Sequence, residues 1–174
     1  MKEFFRQYKS TILFIVKFLA VYGILSVVYA WYLDLYPAEL DPASCVVTEQ
    51  ATKGMQLFEP KITYEMSEGY PRADMQFLGH TFQYIIEGCN AISVMILFLA
   101  FIVAFKAKWI HYVWFVPFGL LVIHWTNIAR IGILGFAALY YPEYSKPMHD
   151  YFFPGMIYGI TMLLWFLWVK YVAR

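Results

Sequence analysis

The chain has 174 residues, of which 61% are hydrophobic, 21% aromatic and 14% charged, with a formal net charge of +1. An apolar share above the roughly 45–50% of soluble domains excludes a disordered chain, and the near-neutral charge excludes a basic nucleic-acid binder. Two cysteines, Cys45 and Cys89, are too few for a disulfide scaffold and lack the paired spacing of a zinc ribbon.

These numbers predict a single membrane-embedded domain over residues 1–174. Crossing ~30 Å of hydrocarbon at ~1.5 Å per residue takes about 20 apolar residues. The first such run covers residues 10–33, broken only by Lys17. Val28-Tyr29-Ala30 loosely fits a signal-peptidase site, but the run is long and aromatic for a signal peptide, so it is read as a retained anchor. Residues 34–80 follow as one long extramembrane loop of 47 residues with four prolines and eight acids against three bases. Further apolar runs cover residues 88–105, 110–140 and 151–169. The expectation is an all-α polytopic protein with about four transmembrane helices. Continuous apolar runs, rather than ten-residue alternation, argue against a barrel.

Basic residues orient the spans. Lys2, Arg6 and Lys9 precede the first, Lys106 and Lys108 fill the turn between the second and third, and Lys170 and Arg174 follow the fourth. With Lys17, that side holds 8 of the 13 basic residues and one acid, Glu3. The other side holds five bases and 11 acids, so the net +1 resolves into +7 and −6. The N- and C-termini are therefore expected in the cytoplasm and loop 34–80 outside it.

Ionisable groups at membrane depth are costly and point to function. Counting along each helix from the basic turns puts Cys89 ~24 Å up, Arg130 ~28 Å and His149 ~31 Å. Three helices or helix ends thus bring three polar groups to one level near the outer surface. A thiol becomes nucleophilic on ionisation, which a neighbouring cation favours. A histidine takes and returns protons near neutrality, and an arginine stabilises an oxyanion. Together they suggest acyl transfer at a peptide bond. Singly, Cys89 also reads as a small buried hydrophobe or a disulfide partner of Cys45, and His149 as an interfacial histidine beside Asp150.

Glu87-Gly88-Cys89-Asn90-Ala91-Ile92, then Asn127-Ile128-Ala129-Arg130-Ile131, then His149 before a last helix resemble the exosortase/archaeosortase family. The short length and the Cys89-Asn90-Ala91 variant look most like its small F-type exosortases of Gram-negative bacteria. The resemblance covers roughly residues 75–170. It implies a cysteine protease or transpeptidase with Cys89 as nucleophile, Arg130 as electrostatic stabiliser and His149 as general acid/base. Asn127 matches the family's Asn-x-x-Arg pattern and shares a helix face with Arg130, where it would orient the guanidinium or the substrate carbonyl. Glu87 and Asn90 are further candidates for substrate binding or support. The implied partners are the lipid bilayer and exported proteins ending in a motif, a transmembrane helix and a basic tail. The implied location is the bacterial inner membrane with the site facing the periplasm. No metal or organic cofactor is expected. Many members have glycine two places after the cysteine and another soon after the histidine, where this chain has Ala91 and, at the nearest, Gly155.

Other classes remain open from the residues alone. A transporter or assembly scaffold would use Arg130 to hold an anion, with Asn127 and Glu87 shaping specificity. A haem bundle would draw on His80, His111, His124 and His149. A zinc peptidase would need Glu87, Cys89, His80 and His149, without any HExxH spacing to support it.

Overall fold

The computed structural model describes residues 2–172. It is mostly helical, at 73%. Helix α1 covers Lys2–Leu33, α2 Pro42–Gln56, α3 Ile92–Ala104, α4 Trp109–Tyr140, α5 Pro142–Pro147 and α6 Phe153–Leu167, with a π-helical turn on either side of α6. Strands β1 (Ile62–Met66), β2 (Arg72–Phe77) and β3 (His80–Ile86) lie between α2 and α3.

Among the described residues, three helical stretches are long and apolar enough to cross a membrane: Gln7–Leu33, Trp109–Tyr140 and Pro142–Val172. The expected second span, residues 88–105, is shorter than its hydropathy suggests. Its helix starts at Ile92, because Glu87–Cys89 form a 3-10 turn and Ala91 takes a left-handed backbone with φ 61°. Thirteen residues rise ~20 Å, well under the ~30 Å of hydrocarbon. By contrast, α4 runs unbroken past Asn127 with Pro117 inside it.

Segment 34–80, expected as a loop, is folded, and the all-α expectation is corrected to a helical protein carrying a small sheet. Asp41 caps α2, accepting from the amides of Ala43 and Ser44 at 3.1 Å each, while Pro42 sits where no amide donor is needed. The strands form an antiparallel meander in the order β1-β2-β3. Ser67 N donates to Arg72 O at 3.1 Å to close the first turn, and Leu78 and Gly79, both with positive φ, make the second a two-residue hairpin. Ile62, Ala73, Met75 and Ile85 turn one sheet face inward.

Two cores follow from this arrangement, strung along α4. In one, Val47, Ala51 and Met55 of α2 and the inward sheet face pack on Ile128 and Ile131. In the other, Phe98 and Ile102 of α3 meet Phe115 and Ile123 of α4 and Ile157, Leu164 and Trp168 near the end of the chain. Helix α1 joins through α3, with Phe14 4.8 Å from Phe105 between ring centroids. Trp168 likewise lies 5.1 Å from Tyr112. The turn with Lys106 and Lys108, the N-terminal half of α1 and the end of the last helix therefore gather at one end of the bundle. The folded cap of α2 and the sheet occupies the other.

Candidate active site at the cap

A cavity of about 350 Å³ opens where β3, the C-terminal half of α4 and α5 meet. Cys89, Arg130 and His149 all line it, joined by Gln83, Lys146 and Asp150. Each comes from a different device. Cys89 ends the 3-10 turn that β3 feeds, Arg130 is carried by the 32-residue α4, and His149 sits in a π-helical turn between α5 and α6. Such turns are frequent where a helix must re-aim a side chain for function.

The turn around Cys89 is held by two amides. Asn127 is fully buried, and its Nδ2 donates to the backbone carbonyl of Cys89 at 2.6 Å. Asn90 is 3% exposed; its Nδ2 donates to Tyr29 Oη at 2.9 Å and Ser44 Oγ at 3.0 Å, and its Oδ1 accepts from Ile92 N at 2.9 Å. These bonds tie α1 and α2 to the start of α3. Asn127 thus reaches the backbone of the cysteine, where the sequence suggests the guanidinium or a substrate carbonyl. Asn90 is buried support and Glu87 is exposed, and neither lines the cavity.

Arg130 is half-buried, with Nε enclosed and without a hydrogen-bond partner. His149 is exposed, and its Nδ1 lies 3.1 Å from Asp150 Oδ1. With the proton on Nδ1 donated to that carboxylate, Nε2 is left as the basic nitrogen. Cys45 and Cys89 are both free thiols. Burial, and then the charges of Asp41 and Glu39, push the Cys45 thiol above its ordinary pKa, and its Sγ donates to Leu40 O at 3.4 Å.

Of the remaining histidines, His124 sits with Nε2 2.7 Å from Gln50 Oε1, bridging α4 and α2. Among the described residues no three His, Cys, Asp or Glu side chains are grouped to hold a metal ion, so Glu87, Cys89, His80 and His149 do not assemble the zinc set. A larger apolar groove of about 600 Å³ lies between α2 and α4, lined by Met55, Phe58, Gly132 and Phe136 among others. It contains none of Cys89, Arg130 and His149.

Gln83 and Lys146 also line the site, and neither belongs to a motif readable in the sequence. Gln83 had a signal: two residues before the apolar Ile85, it falls on the same strand face, which is buried in the structure.

No curated protein and no solved structure gives a significant match to the chain. The model of the transmembrane exosortase family (Exosortase_EpsH) matches residues 8–167, which takes in most of α1, the whole cap and every residue lining the cavity. The family is one of membrane cysteine peptidases and transpeptidases acting on sorting signals. With nearly its full length matched and several apolar helices to embed it, this multi-pass membrane protein belongs to the transmembrane exosortase family.

Proposed function

We propose that the protein is a cysteine protease or transpeptidase that cleaves C-terminal sorting signals of exported proteins at the outer face of the bacterial inner membrane. The observation that carries this reading is the single cavity lined by Cys89, Arg130 and His149 in a chain of this family. The positive-inside rule supports the orientation, with the basic end in the cytoplasm and the cap in the periplasm.

In this reading the substrate's transmembrane helix lies in the bilayer beside the bundle, which fixes the depth of the scissile bond and raises its effective concentration. The Cys89 thiolate attacks the scissile carbonyl and Arg130 stabilises the oxyanion that forms. Collapse of the tetrahedral intermediate breaks the carbon–nitrogen bond, and His149 delivers a proton to the departing amine. The acyl group is then a thioester on Cys89. An incoming amine or water gives up a proton to His149 and attacks the thioester, and Cys89 leaves as thiolate.

The test is co-expression with exported proteins of the same genome that end in a motif, an apolar helix and a basic tail, following their C-terminal processing. Cys89→Ala is expected to abolish processing, and Arg130→Ala to slow it by about 10²–10³-fold, the usual effect of removing one oxyanion partner. If both variants insert stably and process at the normal rate, the enzymatic reading is wrong.

A further inference from the structure

Strand β3 is the outer strand of the sheet, paired on one side with β2. Successive side chains on a strand point to opposite faces. Yet Phe82, Gln83 and Tyr84, three consecutive residues of β3, all line the cavity that holds Cys89. A space that meets both faces of a strand lies along its edge, and no β2 residue lines it. The irregularity in the β2–β3 register falls at this point: Gln83 pairs with Met75 and Thr81 with Gln76, leaving Phe82 as the extra residue. Such bulges re-aim a strand near sites and at edges.

An unpaired strand edge presents a row of backbone donors and acceptors, and adding an extended peptide is the ordinary way to satisfy them. This edge leads straight into the nucleophile, because β3 ends at Ile86 and the Glu87–Cys89 turn follows at once. Gln83 adds a second observation. It is only 9% exposed, lines the cavity, and has an enclosed Oε1 with no hydrogen-bond partner. That Oε1 is packed against Gly135 of α4, so the amide's Nε2 is the end left to donate to a bound backbone carbonyl.

We propose that the free edge of β3 at Phe82–Tyr84 binds the segment of the sorting signal around the scissile bond as an added strand, with the Gln83 amide hydrogen-bonding to it. The proposal rests on the proteolytic reading above and deepens it. Backbone pairing supplies affinity that depends little on sequence and sets the carbonyl at a fixed register beside Cys89. Side chains of the bound segment alternate, one set facing Gln83 and the other facing Tyr84.

Disulfide trapping tests this with an exported protein that the wild-type enzyme processes. In full-length enzyme carrying Cys45→Ser and Cys89→Ser, a single cysteine is introduced as Tyr84→Cys or, separately, Gln83→Cys. Single cysteines are then walked through the substrate residues just before its apolar helix. Crosslinking to Tyr84→Cys is expected to alternate, with every second substrate position giving several-fold more product than its neighbours. Crosslinking to Gln83→Cys is expected to peak at the intervening positions. Tyr84 is exposed, so its variant keeps the test alive if the buried Gln83→Cys misfolds. Product without alternation, or no product from a substrate the wild type processes, overturns edge pairing and leaves the protease intact. If instead Cys89→Ala processes the substrate as well as wild type, it is the proteolytic reading that fails.

Discussion

Asn127 holds the backbone of Cys89: its Nδ2 donates to the Cys89 carbonyl at 2.6 Å from a fully buried position on α4. The helix that carries Arg130 is therefore tied directly to the turn that carries the thiol, by a hydrogen bond between residues 38 apart in the chain. Removing a buried donor leaves the carbonyl unsatisfied, at ~1–3 kcal/mol. Asn127→Ala is expected to lower processing at least about tenfold at equal membrane insertion, since 1.4 kcal/mol is a factor of about ten. Asn127→Asp, which puts an acceptor where the donor was, is expected to do no better. Unchanged processing in both would show that the turn is held by Asn90 alone.

Ala91 is the second feature of that turn. Its φ of 61° is in the left-handed region, where an L-residue costs ~1–2 kcal/mol, and here it follows directly on Asn90 and starts α3. Glycine, which many family members have at this place, suits that backbone. Ala91→Gly relieves the strain but gives up a buried methyl and adds unfolded-state entropy, each worth ~0.5–1 kcal/mol. It is expected to leave thermal stability in detergent within about 1 kcal/mol of wild type, as these terms largely cancel. Ala91→Val adds β-branching at positive φ and is expected to cost more than about 2 kcal/mol and to reduce processing in parallel. A tolerated valine would mean that the turn relaxes freely.

Much of the molecule is readable from residue pattern, and the exceptions have physical causes. Apolar runs mark the long helices, and counting rise per residue from the basic turns puts Cys89, Arg130 and His149 near one level; in the structure they line one cavity. The sheet is not readable in the same way. Its strands are five to seven residues long and rich in polar residues, and the Leu78-Gly79 hairpin lacks the Asn-Gly or Asp-Gly pair that advertises such a turn. The start of α3 is misjudged because Gly88 and Ala91 look compatible with an apolar run, whereas the backbone at Ala91 stops the helix. Asn90 seems poised for substrate because it adjoins Cys89. Its partners Tyr29 and Ser44 lie 61 and 46 residues away in the chain, and no local pattern reveals them.

Cys45 offers a chemical contrast to Cys89. Burial first, then the negative charges of Asp41 and Glu39, raise its pKa, so the fold favours the neutral thiol. That contribution to stability is complete below the unfolded-state pKa and is lost as pH rises through the higher folded-state value. The thiolate is the reactive form, so alkylation of Cys45 in a Cys89→Ser variant is expected to be slower than that of free glutathione at neutral pH and to accelerate only at more alkaline pH. Unfolding in detergent should remove the difference. Cys45→Ser is expected to leave processing unaffected. Labelling of native Cys45 as fast as glutathione at neutral pH would contradict the assignment.

Gly119 sets the approach of α3 to α4. A Cβ built there would stand 2.2, 2.7 and 2.9 Å from three carbons of the Phe98 ring, closer than nonbonded atoms tolerate. Phe98 is fully buried, with its ring centroid 6.2 Å from that of Phe115, so it has little room to retreat. Gly119→Ala is therefore expected to cost about 1–3 kcal/mol, the usual range for overpacking a core, despite alanine's better helix propensity. Gly132, also on α4, is a control: there the nearest atom to an added Cβ is Met55 Cγ at 3.6 Å, an ordinary contact, so Gly132→Ala is expected to be neutral or mildly stabilising. The origin of the Gly119 effect is separable by a double-mutant cycle with Phe98→Leu, read by thermal unfolding in detergent. Phe98→Leu alone loses packing, but in combination it makes room for the new methyl group, so the two losses should sum to less than their separate values by about 1 kcal/mol or more. Strict additivity would mean that the ring does not report the clash and that α3 shifts as a unit instead. Such a shift would move the Cys89 turn at its N-terminal end, and Gly119→Ala would then lower processing more than its loss of stability accounts for.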